Sequence, residues 1–304
     1  MPGRPMTAAE LADYLEAKAL LDRRSLNPEV WENFLQALVP YPDAEVVDLG
    51  TGTGAMMRRL ALAASNPDMV LTGVEREAAL VEVAIDRCRE ALTSADWNCR
   101  AVEEGFEAER SEYRRRFRFV RADCLEFEPK ALCRAVCAHT FMDLVPPSRI
   151  LARAAAWLAP GGLFYATCNY DAGTTLFPAH SDPALEAELL ACYDRSMENR
   201  RWQGEATGGA YSGRRLHGAL AAGGWRILAY GSSDWDLTPI RDSYRGDDAG
   251  VLAALLEMIH GEGRSSGQFS ERKLTCWRRE RLDQLRSGRL GLIIHQLDML
   301  AARP

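Results

Sequence analysis

Three glycines occupy alternate positions after a short apolar run. The stretch "VVDLGTGTG" contains Gly50, Gly52 and Gly54, with Asp48 two residues before the first of them. Glycines at a strand-to-helix turn let a ligand approach the backbone closely. The stretch lacks both the spacing and the lysine of a phosphate-binding P-loop. It matches the dinucleotide pattern G-x-G-x-x-G only in the variant that accepts alanine at the last position, here Ala55.

Asp48 distinguishes between a phosphate and a cation as the ligand of this turn. A carboxylate at the end of the strand repels a pyrophosphate group and attracts a positive charge. S-adenosylmethionine carries a sulfonium and an amino-acid tail but no phosphate, so the glycines would serve close backbone approach rather than anion binding. The turn therefore predicts S-adenosylmethionine as the cofactor and S-adenosylhomocysteine as the product.

Two further acids follow the next two predicted strands. Glu75 ends "MVLTGVE" and is followed by Arg76, and Asp123 lies in "RADC". A carboxylate at the end of the second strand accepts hydrogen bonds from ribose hydroxyls, and the third acid is placed to accept from the adenine amino group. We expect the stem of Arg76 to lie along the adenine. Acids at the ends of three successive strands predict one adenosyl site.

The elements that must position these residues alternate regularly between strand and helix. Such alternation predicts a parallel, doubly wound sheet. The predicted strands are "AEVVDLG" (44–50), "MVLTGVE" (69–75), "FRFVRADC" (117–124), "RAVCAHTF" (134–141), "LFYATCNY" (163–170), "WRILAYGSSDW" (225–235) and "LGLIIHQL" (290–297). Helical periodicity marks an N-terminal segment and two insertions, at 1–43, about 172–210 and about 241–288.

At this point the sequence resembles the class I S-adenosylmethionine-dependent methyltransferases of small-molecule type. The matching motifs are "VVDLGTGTG", "GVE", "RADC", "AHTFMDL" and "LAPGGLFYAT", which cover about residues 44–170. The resemblance implies a doubly wound, mostly parallel seven-stranded sheet with an antiparallel last strand and helical cap insertions. Residues 44–304 would form this Rossmann-like domain, and residues 1–43 would cover the cofactor. The implied cofactor-binding residues are Asp48, Gly50, Thr51, Gly52, Gly54, Glu75, Arg76, Asp123, Cys124 and His139.

Methyl transfer needs few catalytic side chains, because the enzyme chiefly orients the reactants and a base is required only for a protonated acceptor. His139, after the fourth strand, is the first candidate for a base; the alternative is a histidine that only hydrogen-bonds the backbone or the cofactor. Tyr170, at the end of the fifth strand, is the second candidate, as a residue that stacks on or hydrogen-bonds the substrate, or else as part of the core. We also expect a structural pairing of His295 with Asp234 across adjacent strands.

Composition excludes several functional classes. The chain has 304 residues and a net charge of -6, which gives no general electrostatic reason to bind nucleic acid or anionic membranes. No apolar segment is long enough to span a membrane, and none has the form of a secretory signal, so we expect a cytoplasmic protein. The eight cysteines form no C-x-x-C pair. We interpret them as free thiols, and we expect no metal site at Cys133, Cys137 and His139.

The expected methyl acceptor is a small molecule bound under the helical insertions. The stretch "AHTF" stands where methyltransferases acting on amino groups of bases or glutamine typically carry an Asn/Asp-Pro-Pro-aromatic tetrapeptide. The alternatives are a protein or RNA methyltransferase with a groove beside "RSEYRRRFRFVR" (110–121), and a cofactor-binding protein without catalysis. We interpret residues 110–121 themselves as a solvated loop that leads into a strand. The oligomeric state is expected to be a monomer or a homodimer.

Overall fold

The computed structural model describes residues 6–304, and residues 1–5 of the expected N-terminal segment lie outside the described part. The helices are α1 (Ala8–Ser25), α2 (Pro28–Leu38), α3 (Ala55–Ala63), α4 (Ala78–Ser94), α5 (Pro147–Trp157), α6 (Pro183–Glu198), α7 (Ser212–Ala222), α8 (Asp248–Ser265) and α9 (Glu271–Arg286). Within residues 6–304, no helix is long and apolar enough to cross a bilayer.

One large sheet organises the chain. Its strands are β1 (Asp43–Leu49), β2 (Asp68–Glu75), β3 (Asn98–Val102), β4 (Gly105–Arg110), β5 (Tyr113–Arg121), β6 (Cys133–His139), β7 (Leu158–Phe177), β10 (Arg226–Ser232), β11 (Trp235–Asp236) and β12 (Gly291–Ala302). A separate two-stranded hairpin consists of β8 (Arg201–Trp202) and β9 (Glu205–Ala206).

The sheet order confirms the predicted fold. Seven of the strands run β5-β2-β1-β6-β7-β12-β10. The pairs among β5, β2, β1, β6 and β7 are parallel, and β12 is antiparallel to both of its neighbours, β7 and β10. This is the mostly parallel sheet with an antiparallel last strand that the methyltransferase resemblance implies. The carboxyl ends of β1, β2, β5 and β6 consequently share one edge.

The interpretation of residues 110–121 as a solvated loop that leads into a strand is wrong for residues 113–116, which already belong to β5; the strand predicted from residue 117 is present through Arg121. Residues 98–121 form an antiparallel extension, β3-β4-β5, at one edge of the sheet. The arginines of β5 are held by neighbouring strands: Arg116 pairs with Glu107 at 2.8 Å. Arg115 is buried and donates to the carbonyls of Ala61 and Ala64 at the end of α3. The arginines of β5 thus hold neighbouring strands and the end of α3 together. The alternation of charges in the sequence does not by itself predict these contacts.

The first insertion is less helical than the sequence predicts. Strand β7 continues through Phe177, so the insertion at 172–210 begins as strand, continues as α6 and ends with the β8–β9 hairpin. The second insertion, 241–288, contains α8 and α9 as expected. A third group of buried apolar residues, separate from the two that cover the faces of the large sheet, joins both insertions to α1; it includes Leu21, Leu189, Leu252, Ile259 and Trp277.

A buried ion pair fixes the two insertions to each other. The Arg281 guanidinium on α9 is fully buried and donates through Nε to Glu186 Oε2 on α6 at 2.7 Å, with a second contact from Nη2 to Oε1. Trp277 Nε1 donates to the same carboxylate at 3.0 Å. A buried charge is costly when its partner is removed. The insertions therefore depend on this carboxylate for their relative position.

We predict that Glu186→Ala lowers the free energy of unfolding by about 3–5 kcal/mol, because it leaves the Arg281 guanidinium buried without its counter-charge. Urea unfolding followed by circular dichroism measures the change. Glu188→Ala is the matched control, since Glu188 lies exposed on the same helix, and we expect it to change stability by no more than about 0.5 kcal/mol. Equal losses for both variants would contradict the assigned role of Glu186.

Candidate functional site

The glycine turn after β1 is shaped for close approach. Gly50 and Gly52 have φ values of +60° and +54°, a region that side chains rarely adopt. A Cβ at Gly50 would collide with the Phe141 ring, and one at Gly52 would lie 3.1 Å from Leu15 Cδ1. Only glycine therefore fits at either position. The backbone of the turn therefore lies in direct contact with the side chains of Phe141 and Leu15.

The turn borders a cavity of about 620 Å³ at the carboxyl edge of the sheet. This volume is in the range of about 300–1,000 Å³ that is usual for small-molecule sites. The cavity brings together nine of the ten residues expected to bind cofactor: Asp48, Gly50, Thr51, Gly52, Glu75, Arg76, Asp123, Cys124 and His139.

Gly54, the tenth residue expected to bind cofactor, is not among those that line the cavity. It occupies the left-handed region, with φ +79°, at the N-cap of α3. A Cβ there would collide with Cys88 Sγ and contact Ala84, both on α4. The third glycine of the motif is thus required for packing between the turn and α4, and the motif spacing could not separate this packing function from ligand contact.

The second and third acids, Glu75 and Asp123, are held in place by backbone N–H donors. Glu75 Oε2 accepts from the backbone N–H of Gly52 at 3.1 Å, and Oε1 accepts from the N–H groups of Arg76 and Glu77 at 2.7 and 3.0 Å. Asp123 Oδ1 accepts from Leu125 N–H at 2.9 Å. Backbone donors fix both carboxylates while leaving further lone pairs for hydroxyl or amino donors of a ligand.

Asp48 is a buried carboxylate with one unsatisfied oxygen. Its Oδ2 accepts from Thr51 Oγ1 at 2.6 Å, whereas the buried Oδ1 has no hydrogen-bond partner among residues 6–304. Burial raises the pKa of Asp48 to about 7, with the Thr51 hydrogen bond and the charge of Arg59 acting in the opposite direction. Since buried polar atoms are nearly always paired, the Oδ1 atom indicates a missing ligand with positive charge or a donor group.

The N-terminal helix supplies two charged residues that the sequence reasoning missed. Lys18 and Asp22, one turn apart on α1, both line the cavity, and Lys18 Nζ lies 2.6 Å from Asp22 Oδ2. Burial opposes ionisation of Asp22, but Lys18 and His139 outweigh it and hold its pKa well below the ordinary value. Asp22 Oδ1 is buried without a partner in the described chain. The sequence does carry a signal for these two residues: a lysine and an aspartate stand four residues apart within the apolar periodicity of α1.

His139 ends β6 next to this pair. Its Nδ1 lies 2.7 Å from Thr167 Oγ1, and its Nε2 lies 3.3 Å from Asp22 Oδ2. Burial lowers the pKa of His139 below its ordinary value, against the opposing effect of Asp22. The next residue, Thr140, has φ +47°, an uncommon and strained value for a β-branched residue, and its hydroxyl accepts from Lys18 Nζ at 3.2 Å. The end of β6 is thus held in a strained form by α1.

Asp22 and His139, together with Cys168, place one ligand atom each within 4.8 Å of one another, which is close enough for a metal site. The Lys18 ammonium already neutralises Asp22, and burial raises the pKa of Cys168 well above its ordinary value, so the sulfur remains a thiol. What the structure shows at this place is an ion-pair network around Asp22, with Lys18 and His139 as its partners.

Tyr170, the second catalytic candidate, is not among the residues that line the cavity. Its hydroxyl donates to Asp194 Oδ1 at 2.7 Å and lies 3.0 Å from Thr174 Oγ1, and its ring packs among the buried residues of the insertions. A tyrosine at a strand end can point to either face of the sheet, which the sequence pattern alone did not determine. The expected His295–Asp234 pair is present at 2.8 Å, and both side chains are exposed by about two-fifths.

Comparison with protein-family models finds no match, and comparison with curated protein sequences finds none either.

Solved structures with similarity to this chain include three methyltransferases. A SAM-dependent methyltransferase from Thiobacillus denitrificans, in complex with S-adenosyl-L-homocysteine, is 15% identical; the match covers 92% of this chain and 93% of that one, with a TM-score of 0.47. A SAM-dependent methyltransferase from Geobacter sulfurreducens is 14% identical over 92% of each chain, with a TM-score of 0.46. Geranyl diphosphate C-methyltransferase from Streptomyces coelicolor A3(2) is 14% identical over 99% and 86%, with a TM-score of 0.43.

Proposed function

We propose that the protein binds S-adenosylmethionine and transfers its methyl group to a small-molecule acceptor. The observation that carries the proposal is the charge pattern of the cavity. Two carboxylates, Asp22 and Asp48, line the cavity together with one ammonium, Lys18, which is paired with Asp22. One oxygen of each carboxylate has no hydrogen-bond partner among residues 6–304. S-adenosylmethionine has the complementary pattern, because it carries a sulfonium, an ammonium and a carboxylate.

The residues present fit the whole cofactor. Glu75 and Asp123 are acceptors for the ribose hydroxyls and the adenine amino group, and their fixed backbone hydrogen bonds hold them in place. Asp48 and Asp22 would offset the positive charges of the sulfonium and the methionyl ammonium, and Lys18 would bind the methionyl carboxylate. The absence of side chains at Gly50 and Gly52 lets Phe141 and Leu15, which both line the cavity, pack directly against the turn.

The cofactor supplies an activated methyl group, and the protein supplies its orientation. When bound, the cofactor would supply a methyl group for in-line displacement by the acceptor, with the sulfur as a neutral thioether leaving group. The apolar cavity residues Leu11, Leu15, Phe141 and Leu144 exclude water from this region. Exclusion of water and alignment of the reacting atoms are the main contributions that such a displacement requires.

We assign His139 a positioning role rather than that of a base. Its Nδ1 is hydrogen-bonded to Thr167 Oγ1, and its Nε2 lies 3.3 Å from the ionised Asp22 carboxylate in a buried position, without hydrogen-bond geometry. The ring instead holds the ionised Asp22 carboxylate at the edge of the cavity. Tyr170 has no part in the reaction that we propose.

Three further features of the proposal extend the sequence expectations. The acceptor is a small molecule, because the site is a cavity lined by α1 and by the end of the first insertion; the second insertion, 241–288, was also expected to cover it but contributes no lining residue. All eight cysteines of the chain are free, in agreement with a reducing compartment such as the cytoplasm. We propose that the protein works there as a monomer or a homodimer.

The alternative of a protein or RNA methyltransferase has less support. Its basic stretch, 110–121, contains arginines that are already paired within the sheet, among them Arg114 with Asp68 and Arg118 with Glu45. Paired guanidinium groups leave little charge for a phosphate backbone. The alternative of a non-catalytic binding protein differs in predicting cofactor binding without formation of S-adenosylhomocysteine in the presence of any acceptor.

We predict that Asp48→Asn weakens S-adenosylmethionine binding by roughly 10–100-fold at pH 8, the factor for one charge-assisted interaction in a buried site. The loss for S-adenosylhomocysteine should be smaller, because that product has no sulfonium. Isothermal titration calorimetry with both nucleotides gives the two dissociation constants.

Asp43→Asn is the matched control, since Asp43 lies exposed at the other end of the same strand, and we expect it to bind both nucleotides as the wild type does. If the wild-type protein binds neither nucleotide at micromolar concentration, the proposed function is wrong.

We predict that the affinity for S-adenosylmethionine rises with pH between 6 and 8. Burial raises the pKa of Asp48 to about 7, so below that pH the free protein carries a neutral carboxyl, which must lose its proton before it attracts the sulfonium. Asp22 stays ionised across this range because its pKa is low. The Asp48→Asn variant should show a nearly flat profile, and an equally steep rise in that variant would assign the titration to another group.

A further inference from the structure

A second cavity, of about 730 Å³, lies between α1, α2, α3 and α4. Its volume is also within the range of about 300–1,000 Å³ that is usual for small-molecule sites. Helix α1 lines both cavities, but with different faces, because residues three and four apart share one face of a helix. The face toward the cofactor cavity carries Leu11, Leu15, Lys18 and Asp22, and the face toward the second cavity carries Glu16, Leu20 and Arg23.

The second cavity has more positive than negative charge. Its lining includes one acid, Glu16, and four arginines, which are Arg23, Arg24, Arg58 and Arg59. Arg58 Nη2 pairs with Glu16 Oε1 at 2.8 Å, and Arg24 Nη2 pairs with Asp248 Oδ2 at 2.5 Å. Arg23 and Arg59 form no ion pair with any residue of the 6–304 range. Two positive charges at this cavity are therefore without a counter-charge in the described chain.

The two unpaired guanidinium groups also act on each other. Arg59 is partly buried, and its one hydrogen bond within the described chain runs from Nη2 to the Ala19 carbonyl at 3.5 Å. Burial lowers the pKa of Arg59 and the charge of Arg23 lowers it further, whereas Asp22 is the main opposing charge. Asp22 is already paired with Lys18. The two arginines thus repel each other, and an anion between them would remove that repulsion.

An ordinary structural role accounts for only one of these two arginines. Cations in the last turn of a helix interact favourably with its dipole, and Arg23 lies in the last turn of α1. Arg59 lies in the middle of α3, where the dipole offers no such stabilisation. A guanidinium that is partly buried there without a counter-charge is costly, so its position beside Arg23 points to a ligand.

The rest of the lining shows what kind of anion fits. Leu20 on α1 and Leu62 on α3 are 55% and 43% exposed, and Trp31 of α2 lines the same cavity. Exposed leucines beside guanidinium groups offer surface to a ligand with an apolar part and an anionic group. Guanidinium groups match the oxygens of phosphates and carboxylates. Two unpaired positive charges best match a phosphate monoester, which carries a charge of about −1.5 to −2 near neutral pH.

We propose that this second cavity binds a small organic phosphate, with the phosphate held between Arg23 of α1 and Arg59 of α3 and the apolar part against Leu20 and Leu62. The ligand supplies the counter-charge that the described chain lacks, and it covers two leucines that are otherwise exposed. The site is separate from the cofactor cavity, and the proposal does not depend on methyl transfer.

Isothermal titration calorimetry of the intact chain with hexyl phosphate tests the proposal. We expect binding at one site, and saturating S-adenosylhomocysteine should not displace the ligand, because the two cavities are separate. Inorganic phosphate should bind at least about tenfold more weakly, a factor that burial of two methylene groups explains. Hexanol, which has the apolar part without the charge, should show no measurable binding.

Two variants locate the site. Arg23→Gln should weaken binding of hexyl phosphate about tenfold, at the lower end of the range for a charged hydrogen bond because Arg23 is exposed. Leu62→Glu should abolish binding, because the new carboxylate neutralises the arginines and repels the phosphate. The matched controls are Arg279→Gln and Leu132→Glu, since both residues are exposed and neither lines the cavity; we expect wild-type affinity. Circular dichroism confirms that each variant is folded.

Three results would overturn the proposal. The first is absence of hexyl phosphate binding by the wild type at millimolar concentration, and the second is unchanged affinity in folded Arg23→Gln and Leu62→Glu. The third is displacement of hexyl phosphate by S-adenosylhomocysteine, which would place it in the cofactor cavity. Failure of the wild type to bind S-adenosylhomocysteine would instead overturn the proposed function and leave this site to be decided by the two variants.

Discussion

Two carboxylates buried at the carboxyl edge of the sheet set the main constraint on this structure. Asp48 and Asp22 lie where water is largely excluded, and an isolated buried charge is costly. The fold meets that cost in two ways. Asp22 is ionised beside Lys18 and His139. Asp48 has only the Thr51 hydroxyl as its direct partner, and burial raises its pKa to about 7. The pairing of Asp22 with Lys18 and His139 requires α1 to lie at this edge of the sheet, because Lys18 and Asp22 are both on that helix.

The cavity is covered from two directions, and each cover is tied to the sheet by a specific polar contact. On one side, α1 is held by the contact of Lys18 with Thr140 and by that of Asp22 with His139. On the other side, the β8–β9 hairpin is held through the backbone of Gly208 and Gly209. The strained φ of Thr140 falls where the first cover meets the strand end. Strain persists only where surrounding contacts determine it, and here those contacts come from the cover.

Local sequence patterns were sufficient to predict the centre of the site but not its covers. The glycine turn and Glu75 are defined by their own strand ends, and the alternation of strands with helices places those ends at one edge. Lys18 and Trp202 belong to segments distant in sequence, and only tertiary packing brings them to the cavity. The same reason applies to Gly54 and Tyr170, which do not line the cavity. The contact of Gly54 with α4 and that of Tyr170 with Asp194 are long-range, and no local spacing encodes them.

The proposed reaction changes the charge balance that the cavity is built around. Before transfer, the sulfonium gives Asp48 a positive neighbour, which favours its ionised form. After transfer, sulfur is a neutral thioether, and the buried carboxylate loses that neighbour while the ammonium near Asp22 remains. Because the pKa of Asp48 in the free protein lies at about 7, the carboxylate can take up a proton near neutral pH instead of remaining an unpaired buried charge. The same burial that strengthens binding of the charged cofactor therefore weakens retention of the neutral product, and the chemical step itself favours exchange.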